Sequence, residues 1–200
     1  MKYLVIDTET GGLDPRKNAL LEIGMRLYDL DGKMEIAFHR KIMWEGIRVP
    51  IDINALAVNG CNLVDGANPE TVARELAGWL ASMSRRGEVT ILGQNLQFDI
   101  DFIEEFLRRH GFVGWRELYR YRRIDTSMIA LYLQEAGMLP RTVRLSLAGL
   151  HKHFFGTEID HVHTALGDVE ATFSVYREML RLTRERISWD GTIAMEGKKP

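Results

Sequence analysis

With one cysteine, Cys61, in 200 residues, the chain cannot close an intrachain disulfide. That excludes the cross-linked frameworks of small secreted domains and fits a reducing compartment. A surplus of positive charge is missing too, since 26 Lys and Arg stand against 28 Asp and Glu, for a formal net charge of −2. Sequence-nonspecific duplex binders carry broad basic surfaces, so any nucleic-acid contact here must be local. No apolar run nears the roughly 20 residues that a membrane-spanning helix needs, and no charged-then-apolar leader opens the chain. The expectation is a cytoplasmic, soluble protein with no membrane contact. The patterns G-x-x-x-x-G-K-S/T and G-x-G-x-x-G do not occur, which removes P-loop and dinucleotide-binding enzymes, and without a cysteine cluster there is no thiolate zinc site. What the chain does have is 46% hydrophobic residues, enough for one domain with a sizeable core.

The order of its elements is legible from periodicity. "YLVI" is a continuous apolar run of β-prone residues, as in a central strand, with Asp7 at its end. Leu21, Ile23, Met25 and Leu27 alternate with Glu22, Gly24, Arg26 and Tyr28; Met34, Ile36 and Phe38 do likewise, and Asp31-Gly32 between them predicts a hairpin. Residues 43–68 read as a loop carrying one short helix, and 69–84 as a helix with Val72, Leu76, Trp79, Leu80 and Met83 on one face. "VTIL" predicts a strand, followed by a helix through "FDIDFIEEFLRRHG" that Gly111 closes. A short strand near 121–124, a helix from "DTSMIAL", another near 145–155 and a long one over 164–186 complete the pattern. Hairpin-linked strands followed by strands alternating with helices predict an α/β domain with a mixed sheet.

Three acidic groups stand out. On a strand, positions i and i+2 share a face, so Asp7 and Glu9 aim at one point if extension persists to Glu9, a geometry suited to a divalent cation. The plain alternative is a pair of solvated loop carboxylates. Asp99 heads a helical face otherwise made of Phe102, Ile103 and Phe106, and a carboxylate turned toward a core needs a partner; alternatively it is a helix N-cap, with Asn95 in a similar turn role. Asp168 lies in the first turn of the last helix, where the helix dipole favours its ionised form. His163 precedes it by five residues and reads as a loop residue entering that helix, or as a plain surface histidine. Among the remainder, "YRYRR" at 119–123 is an aromatic-basic run that fits a half-exposed strand better than a nucleic-acid contact. Asp125 reads as a helix cap, His151 and His153 as surface or packing residues, and Met128, Leu131 and Tyr132 as core.

Taken together and in this order, Asp7-x-Glu9, Asn95-x-x-x-Asp99 and His163-x-x-x-x-Asp168 resemble the motifs of the DEDDh branch of the DnaQ-like 3′-to-5′ exonuclease superfamily. "DTETGGLDP", "ALLEIG", "NALAVNG", "GQN" with "FD", and "DTSMIAL" extend the resemblance to about residue 186. Two positions depart from it: Gln94 stands where relatives often carry His, and Gly167 sits in the first turn of the last helix. The resemblance implies a ribonuclease H-like fold, a mixed five-stranded sheet flanked by helices, with an exonuclease domain over 1–186 and a C-terminal tail over 187–200. It also implies two divalent cations, Mg²⁺ or Mn²⁺, held by Asp7, Glu9, Asp99 and Asp168, with His163 taking the proton of the attacking water. Thr10 and Gly11 offer backbone N–H groups to the terminal nucleotide, and Asn59 and Phe98, with Asn95 of the second motif, resemble positions that contact it. The implied substrate is nucleic acid with a free 3′ end, single-stranded, DNA or RNA, shortened to nucleoside 5′-monophosphates. A polymerase partner and a homodimer both stay open. The competing expectation is a non-catalytic nucleic-acid-binding or scaffold subunit of the same fold, against which the intact carboxylate set argues.

Overall fold

The computed structural model describes residues 2–44, 51–52, 65–83, 88–159 and 164–186. Asn59, His161, His163, the "NALAVNG" stretch and the tail 187–200 lie outside the described residues.

Five strands form one sheet in the order β3-β2-β1-β4-β5. They are β1 (Lys2–Thr10), β2 (Leu20–Tyr28), β3 (Met34–Lys41), β4 (Val89–Gly93) and β5 (Arg123–Asp125). β1, β2 and β3 pair antiparallel, whereas β4 runs parallel to β1 and β5 parallel to β4, which is the expected mixed sheet. The hairpin between β2 and β3 is closed by Asp29, whose side chain accepts from the Asp31 and Lys33 N–H groups. Extension does persist past Asp7, to Thr10.

Alternation along β1 sends its side chains to two different cores. Leu4 and Ile6, with Ile23, Met25 and Ile91, pack against α1 (Pro69–Met83) and α2 (Leu96–Arg109). Val5, with Tyr28 and Leu92, packs against Val169, Phe173 and Tyr176 of α5 (Ala165–Arg186). Behind α5, Val175 and Met179 meet Ala130 and Leu133 of α3 (Thr126–Glu135) and Leu150 of α4 (Leu147–Phe155). Gly111, with φ of +80°, ends α2 as expected, because a left-handed residue there lets the following chain turn back onto the helix: the Phe112 N–H reaches the Leu107 carbonyl at 2.9 Å.

Three expectations give way. β2 is buried on both faces, not one, because α5 covers the side that carries Glu22 and Gly24. Met128, Leu131 and Tyr132 are exposed rather than core; α3 turns Ala130 and Leu133 inward instead, three positions apart and so on one face, while residues one or two positions from these point away from it. "YRYRR" is mostly turn. It follows a one-turn 3-10 helix, Trp115–Leu118, which periodicity does not reveal; Tyr119 is buried, Arg120 is left-handed with φ of 52°, and only Arg123 enters a strand. The run also lies at the wrong end of the sheet for a substrate contact. β5 begins there, whereas the acidic residues sit at the C-terminal ends of the parallel strands.

Candidate active site

Asp7 and Glu9 project from β1 on the face covered by α5, and Asp168 comes down on them from the first turn of that helix. One oxygen from each of the three carboxylates lies within 4.8 Å of the others. Each segment has a local reason for its place. A register shift between Glu9 and Thr10 ends the regular pairing with β2. The Thr10 hydroxyl donates to the Gly12 carbonyl at 2.8 Å, holding the turn that follows. At the head of α5, the Thr164 hydroxyl accepts from the Gly167 N–H at 3.2 Å, so the glycine that departs from the family pattern is capped.

Asp99 arrives from the other layer. It sits on α2, is 4% exposed, and accepts a 2.7 Å hydrogen bond from the Thr8 hydroxyl. Thr8 points to the opposite face of β1 from Asp7 and Glu9, so Asp99 approaches the strand end from behind. A hydrogen bond to an ionised carboxylate contributes about 1.5–3 kcal/mol, enough to fix the orientation of the side chain. Asp99 is therefore not the N-cap of α2. Asn95 holds that position in a left-handed conformation, φ 53°, with no side-chain cap bond. The cap is supplied from a distance: the Asp125 carboxylate accepts from the N–H groups of Asn95, Leu96 and Ser127 at 3.1, 3.0 and 2.9 Å. Asp125 thus starts two helices, as a cap and more. Gln94 is engaged as well, donating to the Leu145 carbonyl and accepting from the Thr126 hydroxyl.

Of the expected nucleotide contacts, Asn95 is exposed and Phe98 half-buried, its ring 4.8 Å from that of Phe102. Gly11 needs correction as a backbone donor. Its N–H is committed to the Ala19 carbonyl at 2.7 Å, and its bare Cα instead admits Ile51, which an added Cβ would meet at 3.2 Å.

Like charges and burial dominate the electrostatics. Burial first, then the charges of Asp99, Asp168, Glu9 and Glu22, hold the Asp7 carboxyl well above the usual carboxylate range. Burial pushes Asp99 up to about 7 against the opposing hydrogen bonds from Thr8. Oxygen-only donors gathered this closely from acidic side chains fit a hard divalent cation such as Mg²⁺ or Mn²⁺. The sign of the pH effect follows. An acid whose folded pKa is raised keeps its proton in the folded chain after the unfolded chain has released it, so stability is lost as pH rises from the ordinary carboxylate range through about 7. The cation-free protein is expected to melt higher at pH 5 than at pH 8, and added Mn²⁺ to raise the melting temperature more at pH 8. Asp99→Asn should flatten the slope; an equal slope in that variant would contradict the assignment.

Residues 4–176 match the RNase_T family, described as Exonuclease. Ribonuclease T from Blochmanniella pennsylvanica is 26% identical over 199 residues, covering 93% of this chain and 87% of that protein. A PolC-type DNA polymerase III from Clostridium perfringens is 24% identical over 187 residues, covering 93% of this chain but 12% of the polymerase. The fold is similar to that of E. coli exonuclease I in complex with a dT13 oligonucleotide, with a TM-score of 0.69 at 18% identity over 92% of this chain. It is equally similar to exonuclease I from Methylocaldum szegediense, TM-score 0.69 at 22% identity. The chain spans 41% and 40% of those two exonuclease I chains.

Proposed function

This chain belongs to the exonuclease family that residues 4–176 match and is a 3′-to-5′ exonuclease; from that premise we propose that it binds two divalent cations and removes single nucleotides from the 3′ end of single-stranded nucleic acid. The observation that carries the proposal is the meeting of Asp7, Glu9 and Asp168 within 4.8 Å beside the Thr8-held Asp99. Asp7, Glu9 and Asp168 would hold one cation, and Asp99 with Asp7 would hold the second. Bound there, the cations supply neutralisation of the phosphoryl oxygens and easier ionisation of the attacking water. The chain's own groups do the rest. Thr8 keeps the Asp99 carboxylate turned to the site. His163 takes the proton of the attacking water, a role that suits an imidazole near neutral pH. As the water oxygen bonds to phosphorus, the bond to the 3′ oxygen breaks and that oxygen is protonated, leaving a nucleoside 5′-monophosphate. Phe98, Asn95 and Thr10, with Asn59 as the family pattern implies, contact the terminal nucleotide.

The exonuclease unit is residues 1–186. Among the described residues no helix is long and apolar enough to cross a membrane, and the acidic balance of the chain limits the grip to a few nucleotides at the site. The family's breadth leaves DNA and RNA as alternative substrates.

Matched 5′-labelled DNA and RNA oligomers, linear and circular, test this in Mg²⁺ or Mn²⁺. Linear single strands should shorten from the 3′ end one nucleotide at a time, circles should resist, and EDTA should abolish cleavage until the cation is restored. Early cuts in a circle, or full activity in chelator, would contradict the proposal.

A further inference from the structure

Glu22 is 1% exposed and stands directly opposite Glu9 in the pairing of β1 with β2. The two side chains therefore emerge on the same face, and Glu22 adds negative charge beside an already crowded cluster. A carboxylate buried without partners is costly. Its partners here are specific. Glu22 Oε1 accepts from the Ala165 N–H at 3.1 Å and faces His39 Nε2 at 2.8 Å. Ala165 is the first residue of α5, and the positive end of a helix favours a carboxylate at that point. Two positions along β2, Gly24 lies opposite Asp7. A Cβ built on Gly24 would come within 2.5 Å of the Ala165 carbonyl carbon and 2.6 Å of its oxygen. Only glycine lets the helix start settle so close to the strand. His39 is opposite Gly24 on β3 and holds the Glu22 carboxylate from the outer side.

We propose that Glu22 is a positioning residue, which, with the bare face of Gly24, clamps the first turn of α5 onto β2 and so sets Asp168 against Asp7 and Glu9. The inference rests on the cation site proposed above. The orienting contacts run from His39 to Glu22, from Glu22 to the Ala165 N–H, and one helical turn later to Asp168. Groups that orient ligands without touching the cation typically change affinity by about 10- to 100-fold when removed. Glu22 thus acts on the ligand set through backbone, not by coordination.

The distinction is testable with calorimetric Mn²⁺ titration of the intact chain and amide hydrogen exchange at residues 165–168. Glu22→Ala should weaken Mn²⁺ binding by about 10- to 100-fold and speed exchange at Ala165, while kcat at saturating Mn²⁺ stays within a few-fold. Glu22→Gln keeps a carbonyl acceptor for the Ala165 N–H and should restore both affinity and protection. Equal losses of affinity in the two variants, with Ala165 exchange unchanged, would show that the charge acts on the cation directly and overturn the proposal. So would an unaltered affinity in Glu22→Ala. Should Glu22→Ala fail to fold, Glu22→Gln and Gly24→Ala decide: Gly24→Ala should lose affinity with Glu22 intact, and wild-type affinity there would refute the clamp. If the unmodified chain binds no Mn²⁺, the cation site itself is wrong, whereas exchange at Ala165 still reports on the clamp.

Discussion

Asp7→Asn is expected to lower the exonuclease rate by about 10³-fold, the scale of losing one electrostatic stabiliser of the transition state, here a cation that Asp7 helps to hold, while the melting temperature of the cation-free protein rises. Both effects come from the same side chain. The Asp7 carboxyl is pressed by burial and by the charges of Asp99, Asp168, Glu9 and Glu22. An amide of the same shape relieves that repulsion and forfeits the shared ligand. Rate measurements at saturating Mn²⁺, accompanied by circular dichroism and a melting curve, check the pair of outcomes. A folded Asp7→Asn variant with near-normal activity would remove Asp7 from the chemistry; a variant that melts lower would show that the carboxylate stabilises the fold.

His163→Ala is expected to lower kcat by about 10² to 10⁴, the usual contribution of a positioned acid–base group, with Mn²⁺ affinity largely retained. His161→Ala should cost far less, since it lies two residues farther from Asp168 and carries no role implied by the family pattern. The expectation rests on the spacing His163-x-x-x-x-Asp168, with Asp168 in the first turn of α5. Both variants are compared over pH 6 to 9 at saturating Mn²⁺. Equal and small losses would mean that the reaction needs no protein base.

Periodicity exposed the parts of this site that depend on a strand. Alternation in "YLVIDTET" puts Asp7 and Glu9 on one face provided that extension persists, as it does to Thr10, whereas the apolar run around Asp99 leaves both an inward carboxylate and a helix cap open until the Thr8 contact decides. Glu22 was illegible for the opposite reason. In "LLEIGMRLY" it occupies the polar phase of an alternating strand, which normally means solvent, and only the docking of a helix 143 positions away, through Ala165, buries it. Met128, Leu131 and Tyr132 misled because α3 is apolar on every side, so its sequence does not say which side meets α5. Gly11 was visible as a turn residue, but whether its N–H faces a ligand or the Ala19 carbonyl depends on a pairing that local sequence does not encode.

The late arrival of α5 has a consequence during synthesis. Asp7 and Asp168 stand 161 positions apart (168 minus 7), and at about 5–20 residues per second a ribosome takes roughly 8–30 s to travel between them. Throughout that interval the emerging chain carries Asp7 and Glu9 but neither the third ligand nor the helix start that Glu22 and Gly24 receive. The centre is therefore assembled across two distant stretches of chain, and it exists only once the segment that forms α5 has been made and docked on β2.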